Sequence, residues 1–226
     1  MPAALLDVPD GPPIGLVVAL HGFTRSPRHL EHLAQACTRS RLSCLRPALA
    51  PALDPMRIAR PGALAREAQG LASQIRAQPL PDGRLVVILG HSAGAAAACW
   101  IARQWLLDGT DPGLAGLVLV DGVDGITHLI ERSLVDLQAV PLVALTADPG
   151  PCNRHGALER LLGQRRPQAV VPMPGSCHGD IEGVERAIYR LACADSSDDA
   201  GRSRVIDTAV SVARGMISGS RGPLGR

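Results

Sequence analysis

The stretch that most constrains this chain is Gly90-His91-Ser92-Ala93-Gly94, together with what flanks it. Before it, residues 84–89 carry an apolar, β-branched run that predicts a buried strand. After it, residues 95–107 predict an alanine-rich helix. Strand, tight turn and helix would hold the serine at the apex of a strained turn. Glycines two before and two after it would let the backbones pass without a Cβ between them. Gly90 and Gly94 occupy those places. The pentapeptide alone says little, because glycine is common in any sequence. Its position between a strand and a small-residue helix makes Ser92 the candidate nucleophile.

The rest of the chain repeats the same alternation. The breaker at residues 10–13 introduces a strand at 14–20, which ends in His21-Gly22-Phe23-Thr24. Ser26 reads as an N-cap and Pro27 as the first position of a helix running to about residue 39. A short strand follows at 42–45, then a proline-broken segment at 47–61 and a helix at 62–77. Beyond the elbow helix, a strand at 117–120 delivers Asp121, and 122–139 reads as loop plus a short helix. A strand at 141–146, a helix at 155–162 and a strand at 169–173 lead to the loop at 174–181. Residues 195–201 read as loop, 204–217 as a closing helix and 218–226 as a tail. This order predicts an α/β fold, a mostly parallel sheet with helices on both faces, formed by one domain over 1–226.

Bulk properties narrow the function classes. At 226 residues with 46% hydrophobic content the chain suits a single core. A formal charge of +2, without a basic run, predicts no nucleic-acid partner. The four aromatic residues Phe23, Trp100, Trp105 and Tyr189 are too few for stacking platforms. Neither a secretory signal nor a membrane span is legible, so the expected address is cytoplasmic. The six cysteines lack C-x-x-C spacing, which argues against zinc. Cys152 and Cys177 fall in loops near the candidate site, where one disulfide is expected at most.

Ligand sites of parallel sheets lie beyond the carboxyl ends of the strands. Four chemical elements fall there: His21-Gly22-Phe23, Ser92, Asp121 or Asp148, and His178. A serine hydroxyl needs a base within hydrogen-bond reach. His178, in a loop made supple by Gly175 and Gly179, is the candidate base. An acid must orient the imidazole and stabilise its cation, and position alone leaves Asp121 and Asp148 open, with Asp124 and Asp180 behind them. A tetrahedral intermediate needs N–H donors; the backbone amides of Phe23 and Ala93 are the candidates for that oxyanion hole. His91 should pack under the turn, His21 should order the loop after it, and His29 and His32 should be solvated.

Together, His21-Gly22-Phe23, Gly90-His91-Ser92-Ala93-Gly94 and Gly175-Ser176-Cys177-His178-Gly179-Asp180 resemble the α/β-hydrolase superfamily, in its dienelactone-hydrolase and chlorophyllase-like branch. The chain order Ser, Asp, His is the superfamily's own. Chlorophyllase-like proteins carry Asp-Pro-Val-Asp-Gly after the strand following the elbow, with its first aspartate as triad acid. Here the segment reads Asp121-Gly122-Val123-Asp124-Gly125, which favours Asp121 over Asp148. Gly122 replaces the proline and Ala93 the arginine common in the plant elbow, so chlorophyll is not the expected substrate. A serine stands where dienelactone hydrolases carry cysteine. The resemblance implies a serine esterase acting on a small-molecule ester of short to medium acyl chain, with Ser92, His178 and Asp121 as its triad. That chemistry requires no metal and no organic cofactor. A thioesterase would use the same parts, and a non-catalytic scaffold binding a small ligand or a partner protein is the contrasting reading.

Overall fold

The computed structural model describes residues 4–22, 25–48, 63–77, 85–124, 128–182, 193 and 198–219. Among these, seven strands form one sheet: β1 (Leu5–Asp7), β2 (Gly15–Leu20), β3 (Leu42–Arg46), β4 (Val86–His91), β5 (Leu114–Val120), β6 (Leu142–Thr146) and β7 (Val170–Pro172). Their spatial order is β1-β3-β2-β4-β5-β6-β7. The strand β1 pairs antiparallel with β3, and every other pairing is parallel. The expected α/β architecture is the observed one.

The sheet is covered on both sides because its central strands are apolar on both faces. In β2, Leu16, Val18 and Leu20 face one layer while Val17 and Ala19 face the other, and all five are fully buried. The first layer holds α2 (Ala63–Arg76), α3 (Ala93–Leu107), α4 (Leu129–Leu134) and α5 (Ala157–Arg165). The second holds α1 (Glu31–Arg39) and α6 (Asp199–Gly219). Alanines fill the inner side of α3, so this helix lies close on the sheet with Ile101 and Trp105 as its fully buried large side chains. Each such side chain contributes about 1.5–3 kcal/mol of hydrophobic stabilisation.

Several boundaries depart from expectation for local reasons. β1 has three residues, too few for a periodic signal, and Arg46 secures it by donating Nε to Asp7 Oδ2 at 2.9 Å and Nη1 to the Pro27 carbonyl at 3.0 Å. Residues Pro27–Leu30 form a 3₁₀ turn ahead of α1 rather than its first turn. His29 is half-buried rather than solvated, because its Nδ1 accepts the Ser26 backbone N–H at 3.0 Å. The helix α6 begins at Asp199, inside the span expected to be loop; Asp198 Oδ1 accepts the Gly201 N–H at 2.6 Å and caps it. The expected tail begins two residues too early, since α6 runs through Gly219.

Cys152 is in a disulfide with Cys193, the two Cα atoms 5.0 Å apart. Cys177, the other half of the expectation, is a thiol of intermediate exposure. Among the described residues no helix is long and apolar enough to cross a membrane.

Candidate active site

The elbow is built as its glycines require. Ser92 lies at φ 53° and ψ −122° between β4 and α3. A non-glycine residue there costs about 1–3 kcal/mol and persists only where its surroundings enforce it. Enforcement comes from β5 and the turn after it: the Ser92 N–H donates to Val120 O and the Val123 N–H to Ser92 O, both at 3.1 Å. A Cβ on Gly90 would run into the Gly94 carbonyl, and one on Gly94 into the Leu20 carbonyl. The turn can therefore be this tight only without them.

The loop after β7 carries His178 back over the elbow. It turns at Gly175 with φ 72°, and the Gly175 N–H donates to Asp148 Oδ2 at 2.9 Å. Asp180 Oδ2 accepts the Cys177 N–H at 2.7 Å. So both of these alternative acids are used to shape the loop. Asp124 accepts the N–H groups of Ile130 and Glu131 and holds the start of α4.

With the loop so held, Ser92, His178 and Asp121 meet. His178 Nδ1 lies 2.6 Å from Asp121 Oδ2, and its Nε2 lies 3.1 Å from Ser92 Oγ. The second oxygen of Asp121 is also occupied: Oδ1 accepts the Ala147 N–H and the Asn153 Nδ2–H, each at 3.2 Å. An aspartate buried to 4% exposure with both oxygens satisfied is fixed in orientation. In this geometry the Nδ1–H belongs on Asp121, which leaves Nε2 to accept a proton from the serine hydroxyl.

Of the two candidate oxyanion donors, Phe23 lies outside the described residues. Ala93 is the first residue of α3, where the amides of a helix have no intrahelical acceptor and its dipole is positive.

A second polar cluster lies beneath the turn after β2, where His91 is buried as expected and Glu182, which sequence reasoning missed, is its partner. Glu182, only 1% exposed, accepts the Gly22 N–H on Oε1 at 2.8 Å and pairs Oε2 with Arg25 Nε at 2.7 Å. His91 Nδ1 lies 2.8 Å from the same Oε1, and His91 Nε2 lies 2.8 Å from the His178 carbonyl oxygen. Burial would raise the Glu182 pKa, but His91, the Gly22 amide and Arg25 outweigh it and hold the carboxyl down at about 2. Burial likewise presses His91 downward, and the charge of Glu182 overrides it, so its pKa is raised. His21 is lowered by burial, and its Nδ1 lies 2.9 Å from the Gly22 carbonyl. No local sequence signal pairs Glu182 with a residue 91 positions away; the hint was only a carboxylate four residues after His178.

A cleft of about 250 Å³ opens beside His178, with Asp148, Cys152, His155, Cys177 and Cys193 among its walls. Among the described residues no group of three or more histidine, cysteine or carboxylate side chains could hold a metal ion.

No known family profile and no curated protein matches the chain. Solved structures do. It is similar to the esterase domain of a Rhodothermus marinus protein at 16% identity and a TM-score of 0.64, covering 95% of this chain and 92% of that one. Est1E from Butyrivibrio proteoclasticus, in its structure with ferulic acid bound, is 12% identical at a TM-score of 0.67, over 96% and 95% of the two chains. A dienelactone hydrolase from Anabaena variabilis is 16% identical at a TM-score of 0.59, over 92% and 88%. The fold of this chain is that of the α/β-hydrolases.

Proposed function

On an α/β-hydrolase fold with a serine at its elbow, we propose that this protein is a serine hydrolase cleaving carboxylic esters of short to medium acyl chain. The observation that carries this reading is the continuous relay from Asp121 through His178 to Ser92, at 2.6 and 3.1 Å. The esterase names of its structural neighbours support it.

The reaction runs as follows. Ser92 Oγ attacks the ester carbonyl carbon while its proton passes to His178 Nε2, and Asp121 stabilises the imidazolium through Nδ1–H. The carbonyl oxygen becomes an oxyanion that the Ala93 and Phe23 amides would receive, each donor being worth about 2.7–4 kcal/mol. Collapse of the intermediate breaks the ester C–O bond, and the alcohol leaves with the proton from His178. Water, giving its proton to His178, then attacks the acyl-Ser92 carbonyl; the bond from the acyl carbon to Ser92 Oγ breaks, His178 returns the proton to Oγ, and the acid is released. The short span between β5 and β6 supports a preference for short or medium acyl groups.

The test is labelling with a fluorophosphonate, followed by hydrolysis of p-nitrophenyl esters of increasing acyl length and a matched thioester. Wild type should label, Ser92→Ala should not, and oxoester turnover should fall with long chains. A folded wild-type protein that neither labels nor turns over any of these would overturn the reading in favour of a binding scaffold. Turnover of the thioester alone would replace esterase by thioesterase.

A further inference from the structure

The cluster beneath the elbow has a property that the reaction above does not use. His91 Nε2 donates to the His178 carbonyl at 2.8 Å, and Nδ1 lies 2.8 Å from Glu182 Oε1, a charge contact outside hydrogen-bond geometry. A neutral imidazole carries a single N–H. Either neutral tautomer would set a lone pair against one of these oxygens in a pocket where His91 is only 2% exposed. With Nε2–H committed to the His178 carbonyl, a proton on Nδ1 sets a cation rather than a lone pair against the Glu182 carboxylate.

We propose that His91 stands as an imidazolium strut between Glu182 and the His178 carbonyl, and so positions His178 and the turn after β2 for the serine-hydrolase reaction on which this inference rests. The strut joins three separate segments. Glu182 holds the Gly22 N–H and Arg25, just before and after the stretch that carries the Phe23 amide. His91 closes β4 and immediately precedes Ser92. The His178 loop is tied on at the carbonyl of the base itself, and the Glu182 N–H returns to Gly179 O at 3.0 Å. The charges that face His91 are Glu182, with Arg25 behind it, and Asp121; the imidazoles of His21 and of His178, whose ring centroid is 4.8 Å away, complete its surroundings. Arg25 and His91 thus balance Glu182 and Asp121. The raised pKa of His91 and the lowered one of Glu182 agree with this arrangement. His91 and Glu182 act through His178 and Gly22 and are positioning residues.

The experiment has two arms. In protein labelled with ¹⁵N-histidine, long-range ¹H–¹⁵N spectra are recorded across roughly pH 5 to 8, the His91 signal being assigned by its loss in His91→Asn. Both nitrogens of His91 should remain protonated above 6.5, its ordinary value. A His91 that loses its proton at or below that value overturns the proposal. The second arm is the pH profile of kcat and KM for Glu182→Gln, which keeps the shape and removes the charge. Misplacing reacting groups by about 1 Å costs about 100-fold, so kcat should fall by that order with KM little changed. Its alkaline limb should also move to lower pH. Wild-type kcat and an unmoved limb in a variant that is merely less stable would overturn the positioning role. Should Glu182→Gln fail to fold, Arg25→Gln removes the outer partner instead, and the wild-type spectrum needs no variant. A wild type without hydrolysis or fluorophosphonate labelling would sink the hydrolase reading and the positioning role with it, while the spectrum still decides the state of His91.

Discussion

Asn153 reaches across 32 positions of the chain to donate its Nδ2–H to Asp121 Oδ1 at 3.2 Å. Its other contacts hold it in place. Nδ2 also donates to the Asp148 carbonyl at 2.9 Å, and Oδ1 accepts the N–H groups of Gly150 and Gly156 at 2.9 and 3.0 Å. The triad acid proposed here is thus oriented by a turn on the far side of β6.

Asn153→Ala should therefore slow the enzyme without touching substrate. A hydrogen bond to a charged group contributes about 1.5–3 kcal/mol, which corresponds to about a 10- to 100-fold loss in kcat if it is felt wholly in the orientation of His178. Asn153→Asp should be worse on the acid side, because a second carboxylate beside Asp121 favours protonation of one of the two. The pH profile of short-chain ester hydrolysis would reveal an acid limb displaced upward. An Asn153→Ala enzyme with wild-type kcat would show that Ala147 and His178 alone suffice to fix Asp121.

The two aspartates left open by position should separate cleanly. Asp121→Asn should lower kcat by about 10⁴, since the amide favours the wrong imidazole tautomer. Asp148→Asn keeps an oxygen for the Gly175 N–H and should label with fluorophosphonate at close to the wild-type rate. Comparable losses in both variants would mean that the loop geometry set by Asp148 matters as much as the charge on Asp121.

Stability should depend on pH through the Glu182–His91 pair, in opposite senses on its two sides. The carboxyl is depressed from 4.5 to about 2 on folding, so its contribution is complete above 4.5 and fades as pH falls toward 2. The His91 pKa is raised above 6.5, so its contribution is complete below 6.5 and fades as pH rises through the raised value. The window in which both hold is pH 4.5 to 6.5. Thermal denaturation of wild type and of the double variant Glu182→Leu/His91→Leu should show a melting-temperature gap most favourable to wild type inside that window. Removing one partner alone, as in Glu182→Leu, leaves a buried charge and should cost about 3–5 kcal/mol. A gap that does not vary with pH would mean that neither group changes its pKa on folding.

Reduction should soften the molecule measurably. The Cys152–Cys193 bond closes a 41-residue separation, for which chain entropy gives about 4 kcal/mol. For a chain of this size that is a fall of about 8–16 °C in melting temperature. Cys152→Ser should reproduce the effect of dithiothreitol, and Cys177→Ser should not. An unchanged melting temperature under reductant would place the closed loop outside the cooperative unit.

What the sequence disclosed and what it withheld divide along chain distance. Strands β2, β4 and β6 announce themselves because a doubly covered parallel strand must be apolar at every position, and residues 14–20, 84–89 and 141–146 nearly are. The elbow is legible because both its glycines lie within two residues of Ser92, although the carbonyl that excludes a Cβ at Gly94 comes from Leu20 on a neighbouring strand. Three-residue β1 is too short to show a period. Asp121 and Asp148 both end strands, and only the resemblance tipped the choice toward the residue that lies 2.6 Å from His178. Asn153, Glu182 and Cys193 act through partners 32, 91 and 41 positions away. No local pattern encodes such pairings, and disulfide connectivity cannot be deduced from cysteine positions.

The bond between Cys152 and Cys193 also turns the intervening chain into a covalent ring, and α5, β7, His178 and Glu182 all lie on it. A protease that cuts one peptide bond in that ring opens a loop and releases nothing. His178 then stays tethered to the body that holds Ser92 and Asp121, and a nicked molecule migrates as one species on a denaturing gel until a thiol reagent separates its two pieces.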